Sequence, residues 1–140
     1  MSEPGIAVRP WFGTNQGRSI MAYVDGFVLA VKKDRLDEYR QIASDAAAVW
    51  KEYGALRTVE AVAEDVPYGE VTSFPRAVQC QDDEVVIFSW IEYPDKETRD
   101  ACNAKVMQDP RMKMDMVNGP MNGKTMIYGG FTPIVDNAGD

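Results

Sequence analysis

Histidine is absent from all 140 residues. This removes the usual catalytic base near neutral pH and the commonest metal ligand, and with them any Ser-His-Asp or Cys-His triad. Cysteine is scarce: Cys80 and Cys102 are the only two, too few for a disulfide framework. Reduced thiols acting as packing residues in a cytoplasmic protein are expected. No run of four basic residues occurs, and 15 Lys and Arg face 22 Asp and Glu, giving a formal charge of −7. Nucleic-acid affinity comes largely from cations neutralising phosphates, so no nucleic-acid partner is expected. No apolar stretch approaches the roughly 18 residues needed for a membrane span. No apolar segment follows a basic start, so a secretory signal is not expected either. The carboxylates show no metal-ligand spacing, and neither a metal nor a cofactor is assigned.

What is present fits one globular domain: 45% apolar and 26% charged residues in a chain long enough to bury a core unaided. Residues 1–20, with Gly5, Gly13, Gly17, Pro4 and Pro10, break any period and read as a tail preceding Met21. Trp11 and Phe12 are its only candidate anchors. Ala22–Val31 is nearly continuous in apolarity, as a buried strand is. Asp34 is the expected N-cap of a helix carrying Leu36, Tyr39, Ala43, Ala46, Ala47, Trp50 and Tyr53 as one stripe, with Asp37 near its start and Gly54 ending it. Leu56–Ala63 alternates polar and apolar, as a strand with one wetter face does. Val71–Gln81, holding Pro75, suits an irregular hairpin arm at a sheet edge. Val85–Tyr93 is a second apolar strand, Asp95 caps a helix over about 96–107, and Pro110 suits the first turn of a further helix capped by Asp109. Thr125–Ile134 is the last strand, and 135–140 form a polar tail. The order is β-α-β-β-α-β, a ferredoxin-like α+β fold with an antiparallel sheet, spanning 21–134.

Such a sheet carries its helices on one face and should alternate polar with apolar positions. Here both parities are apolar: Val85, Ile87 and Ile91 oppose Val86, Phe88 and Trp90, and Phe27, Leu29 and Val31 oppose Val24, Val28 and Ala30. The bare set would leave an apolar patch that monomers seldom tolerate. A homodimer packed sheet on sheet is the expected solution. The alternative is that 1–20 or 64–84 folds over the bare face.

The segments YVDGFVLAV (23–31), EYGALRTVEAVAEDVPYGEVTSF (52–74), FSWIEYPDKETRDACNAKVMQDPRM (88–112) and KTMIYGGF (124–131) resemble the YbaA-like family of bacterial proteins of unknown function, over roughly residues 21–134. That family is similar to the dimeric α+β-barrel superfamily, which includes cofactor-independent monooxygenases, haem-degrading enzymes, isomerases and small-molecule-binding regulators. The resemblance implies a dimeric barrel with a pocket between sheet and helices. It transfers no reaction and no haem ligand, since haem-binding relatives generally use histidine.

Asp25 and Glu92 are carboxylates in apolar strands, suited to proton transfer if buried. The plainer alternative pairs each with Arg57 or Arg99 at a sheet end. Arg57 and Glu60 fall on opposite strand faces and cannot pair locally. Gly129 and Gly130 should approach Gly26, making either a bulge or a smooth patch for a ligand, with Trp90, Asn103 and Tyr128 as walls. Six of eight methionines lie between Met107 and Met126, forming either a compliant lid or ordinary packing. The expected function is small-molecule binding by a homodimer. The alternatives are a cofactor-independent monooxygenase or isomerase acting on a phenolic or enolic substrate through Asp25 or Glu92, and a purely structural interaction domain.

Overall fold

A computed structural model describes residues 21–112 and 117–137. The expectations for 1–20, including Trp11 and Phe12, lie outside them. The elements run β1 (Tyr23–Lys32), α1 (Leu36–Glu52), β2 (Arg57–Val62), α2 (Phe74–Ala77), β3 (Glu84–Tyr93), α3 (Lys96–Gln108) and β4 (Ile127–Phe131). The four strands form one antiparallel sheet in the order β2-β3-β1-β4.

The two long strands are the most apolar segments, and they take the centre, where both faces are covered or shared. β1 and β3 pair over their full length, from Tyr23 opposite Tyr93 to Lys32 opposite Glu84. Residues directly opposite share a face. Tyr23, Asp25, Phe27, Leu29 and Val31 therefore lie with Tyr93, Ile91, Ser89, Ile87 and Val85 on one side. The other side holds Val24, Gly26, Val28 and Ala30 with Glu92, Trp90, Phe88 and Val86. The first face packs on the helices: Tyr23, Ile91 and Tyr93 join Val49, Cys102 and Val106, while Leu29, Val31 and Ile87 join Tyr39.

Local signals explain most boundaries. Asp95 accepts from the Thr98 amide at 2.7 Å and caps α3. Gly54 takes φ 124° after α1, a conformation L side chains rarely adopt. Asp109 accepts from the Arg111 amide at 2.8 Å across the turn Pro110–Met112. Asp34 is not the N-cap expected of it. The chain leaves β1 through a 3-10 turn, Lys33–Arg35, that contains Asp34, so Arg35 occupies the cap position and no side chain caps it. Asp37 and Glu38 supply the acidic first turn.

Residues 71–81 do not form a hairpin arm. Ser73 accepts from the Arg76 amide at 3.2 Å and, with Pro75 in the first turn, starts α2. The buried Val78 just after it packs on Val28, Ala30 and Val86, and Phe74 meets Phe88 edge to face. The 64–84 segment thus covers one end of the second sheet face. Phe88, Ile127 and Phe131, at 44%, 46% and 60% exposure, remain open on the rest. β4 is shorter than expected, five residues from Ile127, and in regular register: Gly129 faces Gly26 and Gly130 faces Asp25, without a bulge.

β2 holds the least expected arrangement. Thr58, Glu60 and Val62 lie opposite Ile91, Ser89 and Ile87, while Val59 and Ala61 lie opposite Trp90 and Phe88. The wetter side of this strand therefore faces the helices, and its apolar side faces away from them.

Candidate functional site

α1 is held to the sheet near its two ends. Its buried residues are Tyr39 and Val49, and between them Ala43, Ala46 and Ala47 are only half-buried. Three methyl-sized side chains leave the middle of the helix standing off the sheet, and a cleft runs underneath. Its inner part, about 180 Å³, is walled by Phe27, Leu29, Ile42, Trp50 and Ile91, with Met112, Met121 and Met126 on one side. A contiguous outer part of about 290 Å³ opens past Leu36, Arg40 and Val62. Tyr39, Ala43, Ala47, Thr58 and Glu60 line both.

Glu60 sits where the two parts meet. The Tyr39 hydroxyl donates to Glu60 Oε1 at 2.6 Å, and the Ser89 hydroxyl to Oε2 at 3.1 Å. Solvent reaches the side chain through the cleft mouth, yet the walls crowd its carboxylate. Burial raises the carboxyl above its ordinary value, with the bonds from Tyr39 and Ser89 pulling the other way. Burial, then the adjacent Glu60 charge, pushes the Tyr39 phenol far above its usual range.

The raised carboxyl has a consequence for stability. A native state that holds its proton more tightly than the unfolded chain is favoured at low pH, and this advantage is lost as pH rises through the folded pKa. Glu60→Gln should therefore flatten the stability profile upward from about pH 4.5. The gain near pH 8 should be no more than about 1 kcal/mol, because the open cleft screens the charge. Urea unfolding at a series of pH values checks this. Parallel profiles for parent and variant would contradict it.

The residues singled out in the sequence fall into two groups on opposite sides of the sheet. On the helix side, Asp25 is 4% exposed and chelated by Arg99, with Nε 3.1 Å from each carboxylate oxygen and Nη2 2.9 Å from Oδ1. The Arg99 guanidinium also lies 5.3 Å from the Tyr23 ring centre. Asn103 accepts a long bond, 3.5 Å, from the Tyr93 hydroxyl, which in turn accepts from Trp50 Nε1 at 3.2 Å. Burial, then the Asp25 charge, pushes the Tyr93 phenol up. Tyr128 stacks on Phe27, with centroids 6.2 Å apart, and Gly130 leaves the space that the Tyr23 ring occupies.

On the other side, Trp90 Nε1 donates to Glu92 Oε2 at 2.9 Å, and Arg57 lies 3.8 Å from the same oxygen. Gly129 and Gly26 form a smooth strip beside the Phe131 ring. Asp25 and Glu92 therefore do not share a site within one chain, and neither lines the cleft. Glu60 is not among the site residues singled out from the sequence. The available signal was a charged residue in the same strand parity as Thr58, beside a helix whose inner stripe carries three alanines at its middle. Of the methionines, Met112, Met121 and Met126 reach the cleft and pack on the two core clusters, while Met107 is exposed. Met114 and Met116 lie outside the described residues.

Residues 22–123 match the family described as "Protein of unknown function (DUF1428)". The chain belongs to that family. It is 58% identical over 116 residues to the "Uncharacterized protein YbaA" of Escherichia coli K12, covering 83% of this chain and 99% of the relative. The protein of the same name from Shigella flexneri matches with the same figures. The family match, residues 22–123, holds β1, β2, β3 and both long helices, Glu60 among them. Among the described residues no cluster of His, Cys, Asp and Glu suits a metal ion, and no helix is long and apolar enough to cross a membrane.

Proposed function

We propose that this chain is a cytoplasmic, homodimeric small-molecule-binding protein whose ligand lies in the cleft beneath α1. The carrying observation is the space itself. A purely structural domain would fill the layer between helix and sheet with side chains, whereas alanines at three consecutive inward positions leave it open around a hydrogen-bonded carboxylate. The strand order and antiparallel pairing support a ferredoxin-like unit. The outward Val59, Ala61, Phe88, Ile127 and Phe131 support its pairing, sheet on sheet, as a dimeric α+β barrel.

The catalytic alternative, oxygenation or isomerisation of a phenol or enol, has less in its favour. Asp25 is occupied by Arg99, and Glu92 by Trp90 and Arg57. Glu60 sits beside two hydroxyls already directed at it, which leaves them no donor for an oxyanion forming alongside.

Cleft occupancy is tested with Nile red, a neutral apolar dye. The parent should bind it saturably, one molecule per chain. Ala43→Trp, which fills the point where the two parts meet, should weaken binding by at least about tenfold, a difference of about 1.4 kcal/mol, while unfolding remains cooperative. A folded variant that binds like the parent, or a parent that does not bind, overturns the reading.

A further inference from the structure

The hydrogen-bonding character of the cleft is one-sided. Tyr39 and Ser89 each own a single hydroxyl proton, and both protons point at Glu60, at 2.6 and 3.1 Å. What remains for a ligand is a set of acceptors: the spare lone pairs of the carboxylate and of the two hydroxyls. A ligand carbonyl or carboxylate finds one hydroxyl donor in the inner part, on Thr58, beside the negative Glu60. A ligand that brings protons finds three acceptors converging.

The electrostatics point the same way. Among the described residues, Glu60 is the one charged side chain lining the inner part of the cleft. The cation at the outer mouth, Arg40, is held by Asp37 at 2.8 Å and is largely in solvent. Glu60 is exposed at the cleft mouth and keeps water of its own, and a cation seated on it adds a charge-assisted hydrogen bond. The walls suit such a partner too, since Trp50 and Phe27 present aromatic surface to a cation or to the flat body it is attached to.

We propose that the cleft beneath α1 binds an organic ammonium ion carrying an apolar or aromatic body, with the ammonium seated on the Glu60 carboxylate and the body lying between Trp50 and the methionines. This rests on the small-molecule reading above and adds its ligand class. An ammonium supplies three N–H donors and neutralises the one charge in the chamber. The inner volume of about 180 Å³ limits the part seated beside Glu60 to roughly one ring with a short chain, and a larger body such as the dye extends into the outer part of about 290 Å³.

Three probes of one shape test this by isothermal titration: 2-phenylethylamine, 2-phenylethanol and phenylacetate. The amine should bind at least about tenfold more tightly than the alcohol, and the acid should not bind measurably. Glu60→Gln should cost the amine about tenfold or more and change the alcohol by less than about twofold. Glu60→Asp, which keeps the charge but draws it back, should recover part of the loss. Amine affinity should fall as pH drops through the Glu60 titration. The other groups facing that carboxylate are Tyr39 and Arg40 from α1 and Ser89 from β3, and none of them gains a proton on the acid side of neutrality. Equal binding of amine and alcohol, or amine binding indifferent to Glu60→Gln, overturns the ammonium assignment. If Nile red still binds in either case, only this inference fails. If the dye and all three probes fail to bind, the cleft reading fails with it.

Discussion

Arg99→Ala is expected to destabilise the fold by about 3 kcal/mol, among the largest single-residue effects outside the apolar core. Asp25 sits inside the helix-facing layer at 4% exposure, and among the described residues Arg99 is its charged partner. Removing one member of a buried pair leaves the other charge without compensation, which costs more than the pair itself contributes. Arg99 keeps 22% of its side chain in solvent, which holds the effect to the lower end of the usual range. Urea unfolding at pH 7 measures it. Asp25→Asn combined with Arg99→Met removes both charges and should restore most of the loss. A single-variant loss below about 1 kcal/mol would mean that water, not Arg99, solvates Asp25.

Phe88→Asp is expected to convert a sedimenting dimer into a 15.6 kDa monomer. Phe88 stands mid-sheet on the face away from the helices, opposite Val28 on one side and Ala61 on the other, with 44% of its surface exposed. In a sheet-on-sheet pair the two-fold operator repeats every contact, so one substitution removes two anchors and inserts two charges into an apolar layer. Loss of an aromatic anchor at the centre of an interface commonly costs several kcal/mol, about a 10²- to 10³-fold rise in dissociation constant here. The chain itself should remain folded, because Phe88 lies outside the buried clusters. Sedimentation velocity at low micromolar concentration decides the matter. A parent that is already monomeric would remove the barrel but not the cleft, which is enclosed within one chain.

The long elements were legible because their physics is local and repeated. β1 and β3 are uninterrupted apolar runs, and α1 carries its stripe over four turns before Gly54. α3 begins at an Asp95 whose side chain does what that position asks of it. The departures came from short-range chemistry that competes with such patterns. Pro75 suits a sheet edge on its own, but Ser73 two residues earlier makes it a first-turn proline, and α2 follows. A single 3-10 turn moved the start of α1 past Asp34.

The candidate site was harder. In β2 the alternation was visible, but alternation does not say which side meets the helices. That is decided by pairing with β3, a partner more than 20 residues away, and it placed Glu60 inward beside Ser89. Asp25 stands out in the sequence as a carboxylate in an apolar strand, and Arg99 is one of two arginines suited to pair with it. Whether it served chemistry or packing depended on Arg99, 74 residues along the chain.

Because side chains alternate along a strand, the sheet acts as a partition one peptide thick with independent furnishings on each side. Glu60 opens towards α1, while its neighbours Val59 and Ala61 belong to the opposite surface. A designer can therefore recolour the outward positions to make a soluble single-chain sensor and leave the chamber untouched. Under the proposed reading, selection is free to vary ligand preference and self-association on separate schedules, although adjacent residues govern the two.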